Sequence, residues 1–318
     1  MRIVITGGAG QLGSDIAREL ANEFEVVPVD FPDFDITNLG VTIQYLRRLK
    51  PEVIVHCAAL TDVDACETEA DRAYLVNGIG ARNVAIAAHK VGARLVHIST
   101  DYVFDGEKTG PYREHDRPNP KTTYGMSKLM GERFVAQQTH AHFILRIAWL
   151  YGRTGHNFVK TILRLAQTRD ELRIVNDQYG TPTWTVDVAK QVERVLQTEA
   201  YGTYHATSQG SCTWYEFALE IFKNAGYEAE VDPSGSVRLI PNPKSQIPVL
   251  SSLTPNTQSL TPITLTPVTT AEFPRPAPRP RNSVLDNFLL RIQGIDIMPT
   301  WQESLEKFLS EWQVGGGE

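Results

Sequence analysis

Short runs rich in β-branched and apolar residues punctuate the first half of the chain: RIVIT (2–6), EVVPVD (25–30), EVIVHCA (52–58), RLVHIST (94–100) and HFILRIAW (142–149). Between them lie longer stretches with helical spacing: QLGSDIARELANE, TNLGVTIQYLRRLK, a stretch around AYLVNGIGARNVAIAAHK, and one that holds Tyr124. Strands that are apolar on both faces and separated by helices imply a parallel sheet covered on both sides. Right-handed crossovers then make the expected fold α/β, with a doubly wound, Rossmann-type parallel sheet over residues 1–150.

Beyond residue 150 the alternation loosens into helices at 157–170, 185–198 and 214–226 with short strands between, which predicts a smaller C-terminal lobe over 151–318 with some chain crossing back. Thr300 and Glu303 form a capping-box pattern ahead of the last helix. The segment at about 233–266, rich in Pro, Thr and Ser, shows neither a helical nor an alternating period. It reads as a flexible insertion that cannot bury enough apolar area to offset its ordering entropy.

TGGAGQLG (6–13) follows the first strand and opens the first helix, the context a dinucleotide fingerprint needs. Glycines there allow a tight turn, let the backbone approach a pyrophosphate and aim free helix N–H groups at it. Two registers are open: Gly8, Gly10 and Gly13, or Gly7, Gly10 and Gly13, with Gln11 and Leu12 inside the turn in either case. Asp30 closes the second strand about 20 residues on, where an acid bonds the ribose 2′-hydroxyl and favours NADH over NADPH. Asp35 and Ile36 are expected beside the adenine.

Tyr124 and Lys128 stand four residues apart, on one face of a helix. A free phenol, with a pKa near 10, is a sluggish acid-base at neutral pH, and a nearby ammonium favours its anion. Thr100 ends the fourth strand, at the carboxyl edge where doubly wound sheets bind ligands. Its neighbour Ser99 takes that position if the register differs by one.

The other classes are weakly supported. A net charge of −6 with mixed signs leaves no basic patch for nucleic acid or an anionic membrane. No stretch approaches the length of a membrane span, and the N-terminus lacks a signal-peptide core. The three cysteines form no C-x-x-C pair, so reduced thiols, no structural metal and a cytoplasmic location are expected. The frequency of two-fold assemblies makes a homodimer the default oligomer.

GGAGQLG, AALTDVDACE, STDYVFDG, YGMSK, RIAWLYG, NDQYGTPT and RPRNSVLDN occur in the order seen in dTDP-4-dehydrorhamnose reductases, of the extended short-chain dehydrogenase/reductase superfamily. The resemblance covers roughly residues 1–231 and 267–316. It implies NADPH- or NADH-dependent reduction of the 4-keto group of a dTDP-sugar, with the Gly7, Gly10, Gly13 register and both cofactors accepted. Thr100, Tyr124 and Lys128 become the catalytic set, and Asn77 the helix asparagine that holds the active-site backbone or its water.

Cys57, Ala58 and Ala59 are then expected along the cofactor, and Thr61 and Val63 beside the nicotinamide and sugar. Trp149 is expected against the deoxyhexose, Asn176, Asp177 and Gln178 in the sugar-nucleotide pocket, and Arg279, Asn282 and Ser283 near the diphosphate or sugar. An arginine suits phosphate because its planar donors bond two oxygens at once. Two other functions share the scaffold: an epimerase or dehydratase that recycles bound NAD, and a non-catalytic binding protein like the regulatory subunit of methionine adenosyltransferase.

Overall fold

The computed structural model describes residues 1–32, 34–232, 236–242 and 261–314. Five parallel strands, β1 (Arg2–Thr6), β2 (Glu25–Val29), β3 (Val53–His56), β4 (Arg94–Thr100) and β5 (His142–Ile147), together with Gly202–His205, form one sheet. The order across it is Gly202–His205, β5, β4, β3, β1, β2, all parallel.

Alternation along each strand divides the apolar side chains between two faces. Ile3, Ile5, Val53, Val55, Val96 and Leu145 pack with Ile16, Leu20, Val188 and Val192 from helices Gln11–Leu20 and Thr185–Leu196. Val4, Ile54, Leu95 and Ile144 pack on the other face with Leu46, Val84, Ala85 and Ala88. Each fully buried large side chain contributes on the order of 1.5–3 kcal/mol, so two covered faces make the sheet the rigid part of the molecule. Register pairs Thr6 with His56 and His56 with His97, which brings the strand ends to one edge. The chain reverses direction across the sheet at β1, between β2 and β3, and the crevice outside their carboxyl ends is where such sheets take ligands.

The second half builds its own core around Trp184, Phe217, Phe222 and Phe308. Over it lies a four-stranded sheet ordered Tyr227–Val231, Val237–Pro241, Ile263–Val268, Glu171–Val175. This revises the expectation for 233–266. Val237 and Leu239 point into the lobe core, and Leu265 pairs in parallel with Leu172, so sheet partners distant in sequence stabilise runs with little local signal. Residues 233–235 and 243–260 of that segment lie outside the described residues. The Thr300–Glu303 capping box forms, with Thr300 N–H bonded to Glu303 at 3.0 Å.

The helical stretch over 73–90 contains a π-helical turn, Tyr74–Gly80, ahead of helix Ala81–Val91. Its wider ring is a frequent companion of functional sites, and here it carries Asn77.

Candidate active site

A cleft of ≈ 1130 Å³ runs along the carboxyl edge of the sheet and under the second lobe. Its floor at one end is the glycine turn. Gly7 has φ +71°, and a Cβ there would lie 2.6 Å from the Ala58 nitrogen. A Cβ on Gly13 would lie 2.1 Å from the Gly7 carbonyl oxygen. Gly8 instead packs on Pro28, so the glycines that face the cleft are Gly7, Gly10 and Gly13.

Helix Gln11–Leu20 starts beyond Gly10 with no side-chain cap on its first turn. Uncapped N–H groups above a cradle without side chains suit a pyrophosphate, so the residues present fit a dinucleotide. Gly13→Val overpacks this cradle at about 1–3 kcal/mol, which corresponds to roughly 10- to 10²-fold weaker cofactor binding. Titration of tryptophan fluorescence with cofactor checks this, with unchanged affinity as the contrary result.

Gln11 and Leu12 line the same end of the cleft. Asp30 accepts the Ala9 amide at 3.0 Å and the Phe31 amide at 2.8 Å, which ties the end of β2 to the glycine turn. Asp35 accepts from the amide and hydroxyl of Thr37 at 2.9 and 2.7 Å, and Ile36 packs beneath Gly80; all three residues border the cleft. Cys57, Ala58, Ala59, Thr61 and Val63 continue the wall past β3. Burial pushes the Cys57 thiol up to about 12, against an opposing pull from the Lys128 charge, so it stays a neutral thiol.

Asn77 does not line the cleft. Its Oδ1 accepts the Leu60 amide at 2.8 Å, and its Nδ2 donates to the Leu60 carbonyl and to Ser127 Oγ, both at 3.0 Å. It thereby clamps the loop after β3 to the helix that carries Tyr124.

That helix, Thr123–Gln138, is capped by Thr122, which accepts the Gly125 amide at 3.0 Å. Gly125 lets the helix approach: a Cβ there would sit 2.1 Å from the Tyr102 carbonyl oxygen. The approach brings Tyr124 beside Thr100, with the Tyr102 and Tyr124 rings 5.6 Å apart at 72°. Burial pushes the Tyr124 phenol up, a hydrogen bond with Thr100 pulls it down, and the Asp101 charge pushes it up again. The phenol is therefore held as O–H, the form a proton donor needs.

Lys128 lies one turn on, buried, and its Nζ donates to the Ile98 carbonyl at 2.6 Å. Burial pushes its pKa down to about 8, opposed by the Glu132 carboxylate. Below it, His56 and His97 stack with ring centroids 5.2 Å apart. Burial first, and the Lys128 charge second, lower both imidazoles, His56 to about 3. Thr100 and Ser99 both border the cleft but take different partners: Thr100 neighbours Tyr124, while Ser99 donates to Glu132 at 2.5 Å, two turns further along the same helix.

At the opposite end, Trp149 adopts φ +45°, rare for a bulky residue, and stacks on Trp214 at 3.5 Å and 7°. Gly180 makes room for it, since a Cβ there would fall 2.1 Å from the indole. Gln178, Arg279 and Ser283 also line the cleft. Arg279 is already paired with Asp64 at 2.9 Å, and Gln178 donates to Thr270 at 3.0 Å.

Asn176, Asp177 and Asn282 lie outside the cleft lining. Asn176 accepts from Thr213 at 2.7 Å, Asp177 from the Thr270 hydroxyl at 2.6 Å, and Asn282 donates to the carbonyls of Lys108 and Gly110 at 2.8 and 3.0 Å. In this arrangement they brace the loops that carry Gln178 and Ser283. Asp101, Trp214, Arg173 and Arg275 line the cleft without having been singled out in the sequence. Asp101 stands in the turn just after β4, and the other three reach the cleft only through the folding of the second lobe.

The family model described as RmlD substrate binding domain matches residues 1–314. A dTDP-4-dehydrorhamnose reductase from Aggregatibacter actinomycetemcomitans is 38% identical over 315 residues, 96% of this chain and 97% of that protein. The crystal structure of a dTDP-4-dehydrorhamnose reductase from Clostridium acetobutylicum is 44% identical with a TM-score of 0.86, covering 98% of this chain and 100% of that one. That of the Bacillus anthracis dTDP-4-dehydrorhamnose reductase, in complex with NADP, is 41% identical with a TM-score of 0.85, covering 98% and 99%. With glycine cradle, Thr100, Tyr124 and Lys128 gathered in one cleft, and likeness along nearly the whole chain, this protein belongs to the dTDP-4-dehydrorhamnose reductase family.

Proposed function

We propose that the chain reduces the 4-keto group of dTDP-4-dehydro-L-rhamnose to dTDP-L-rhamnose, with NADPH or NADH as the electron source. The observation that carries this reading is the convergence of a dinucleotide cradle and the Thr100–Tyr124 pair in one cleft. When bound, the nicotinamide supplies the hydride for the carbonyl carbon. The chain's own residues supply the rest. The Tyr124 O–H protonates the carbonyl oxygen, and the Thr100 hydroxyl orients the phenol for that transfer. Lys128 holds a positive charge beneath the phenol and retains N–H donors for the ribose. A positioned acid of this kind contributes about 10²- to 10⁴-fold.

The Trp149–Trp214 stack offers a flat apolar wall for the sugar ring, and Arg279 with Ser283 borders the position for the diphosphate. Residues 1–150 bind the cofactor and 151–318 the sugar nucleotide, apart from the Gly202–His205 strand that returns to the first sheet. Among the described residues no helix is long and apolar enough to cross a membrane. We place the enzyme in the cytoplasm, as a homodimer, beside the sugar-nucleotide pool.

The test generates the keto-sugar nucleotide from dTDP-glucose with a dehydratase and an epimerase, then follows NADH and NADPH oxidation and identifies the sugar formed. One cofactor oxidised per alcohol produced is expected. Product formation with no net cofactor oxidation would instead identify an epimerase or dehydratase, and absence of any turnover would remove the enzymatic reading.

A further inference from the structure

Asp101 follows Thr100 at the end of β4, is 3% exposed and lines the cleft, yet the reaction as described gives it no task. Its Oδ1 accepts the Thr100 O–H at 2.8 Å, while its Oδ2 is buried with no hydrogen bond of ordinary length and angle, Ser283 and the amides of Asp101 and Tyr102 exerting only weaker pulls on the carboxyl. An ionised carboxylate with one bare buried oxygen is costly, whereas a neutral carboxyl leaves only an unpaired carbonyl there. Burial accordingly pushes its pKa up to about 6, against downward pulls from Thr100, from Ser283 and from the amides of Asp101 and Tyr102. The titratable groups around it are Tyr102 on its own turn, and Tyr124 and Lys128 on the helix above. From the 277–283 strap come Ser283 and Arg279, the latter paired with Asp64.

A threonine hydroxyl has one proton to give. With Asp101 ionised, that proton points at Asp101 and Thr100 offers Tyr124 only lone pairs. With Asp101 neutral, the bond reverses: Asp101 donates to Thr100 Oγ, and the Thr100 O–H turns to Tyr124.

We propose that Asp101 is a positioning residue that stores a proton and, through Thr100, resupplies Tyr124 as Tyr124 protonates the substrate carbonyl oxygen. The proposal rests on the reductase reading. In the step, the Tyr124 O–H bond breaks as the alcohol O–H forms, and Thr100 passes its proton to Tyr124 Oη. Asp101 replaces the proton on Thr100 and is left as carboxylate. No electrons move beyond the hydride pair, and Asp101 regains its proton from solvent by the same path once product leaves the open cleft.

The test measures turnover against pH for the wild type, Asp101→Asn and Ser283→Ala, together with infrared spectra of the cofactor-free proteins. Wild-type reductive turnover is expected to fall as pH rises through about 6. Asp101→Asn keeps the shape but holds no transferable proton, so its turnover drops about 10- to 10²-fold and loses that limb. Ser283→Ala removes a downward pull, so its limb moves to higher pH. A carboxylic-acid band in the wild-type spectrum, titrating near pH 6, should be missing from Asp101→Asn.

Wild-type turnover and limb retained in Asp101→Asn overturn the proposal, as does a band titrating near pH 6 that the substitution leaves undiminished. Should Asp101→Asn fail to fold, Ser283→Ala decides: a limb moved upward supports the proposal and an unmoved one overturns it. A wild type without turnover defeats the reductase reading, and the infrared titration then decides by itself whether Asp101 stores a proton.

Discussion

Tyr124→Phe will fold and bind cofactor as the wild type does, and its turnover will fall by about 10²- to 10⁴-fold. The substitution removes one oxygen and leaves the ring, so the edge contact with Tyr102 and the helix approach at Gly125 persist. What disappears is the cleft phenol beside Thr100 and, under the proposed mechanism, the proton donor to the carbonyl oxygen. The loss should reside in kcat rather than KM, since the hydroxyl works hardest as negative charge develops on the substrate oxygen. Steady-state kinetics with the keto-sugar nucleotide, beside a cofactor-binding titration, check both halves. Near-normal turnover would sink the assignment of Tyr124.

Glu132→Ala will have the largest effect on stability. Glu132 is buried beneath the site, accepts two N–H bonds from the buried Arg146 at 2.9 and 2.7 Å, and takes the Ser99 hydroxyl as a third donor. Removing one partner of a buried pair leaves an uncompensated charge, a loss of about 3–5 kcal/mol. Arg146 already has its Nη1 buried without a partner, so it has little other support. For a chain of this size the melting temperature should fall on the order of 10 °C.

A second consequence reaches the chemistry. Glu132 is the larger of the two groups that raise Lys128 against its burial, so its loss sends the Lys128 pKa further below about 8. A depressed lysine is charged only below its pKa, so activity that needs the ammonium will be lost at lower pH than in the wild type. Glu132→Gln, which keeps an acceptor but no charge, should fall between the two in stability. Thermal denaturation and the alkaline side of the pH–rate profile read the two effects separately, and a variant that melts with the wild type contradicts the first.

The strands of the main sheet were legible because they are apolar on both faces: only a fully covered parallel sheet gives runs such as VIVH without polar alternation. The lobe strands Val237–Pro241 and Ile263–Val268 were not, since their alternation is short and their partners lie far along the chain. The π turn at Tyr74–Gly80 escaped for a related reason, because one extra residue per turn barely alters an apolar pattern. In the site, the glycines and the Tyr124–Lys128 spacing were visible as local patterns. Asp101 and Trp214 were not, because their importance lies in a bare carboxylate oxygen and in an indole stacked on Trp149, sixty-five positions away.

Taken alone, the sequence determined the sheet, the phosphate turn and the helical face that presents Tyr124 with Lys128, since each depends on residues within a turn or a strand of one another. Tertiary structure decided which glycines face the cleft, that Thr100 and not Ser99 neighbours Tyr124, that Arg279 is held by Asp64, and that Asp101 is stripped of solvent. These depend on contacts between segments distant in the chain, where burial and the direction of a single hydrogen bond set the chemistry of a group.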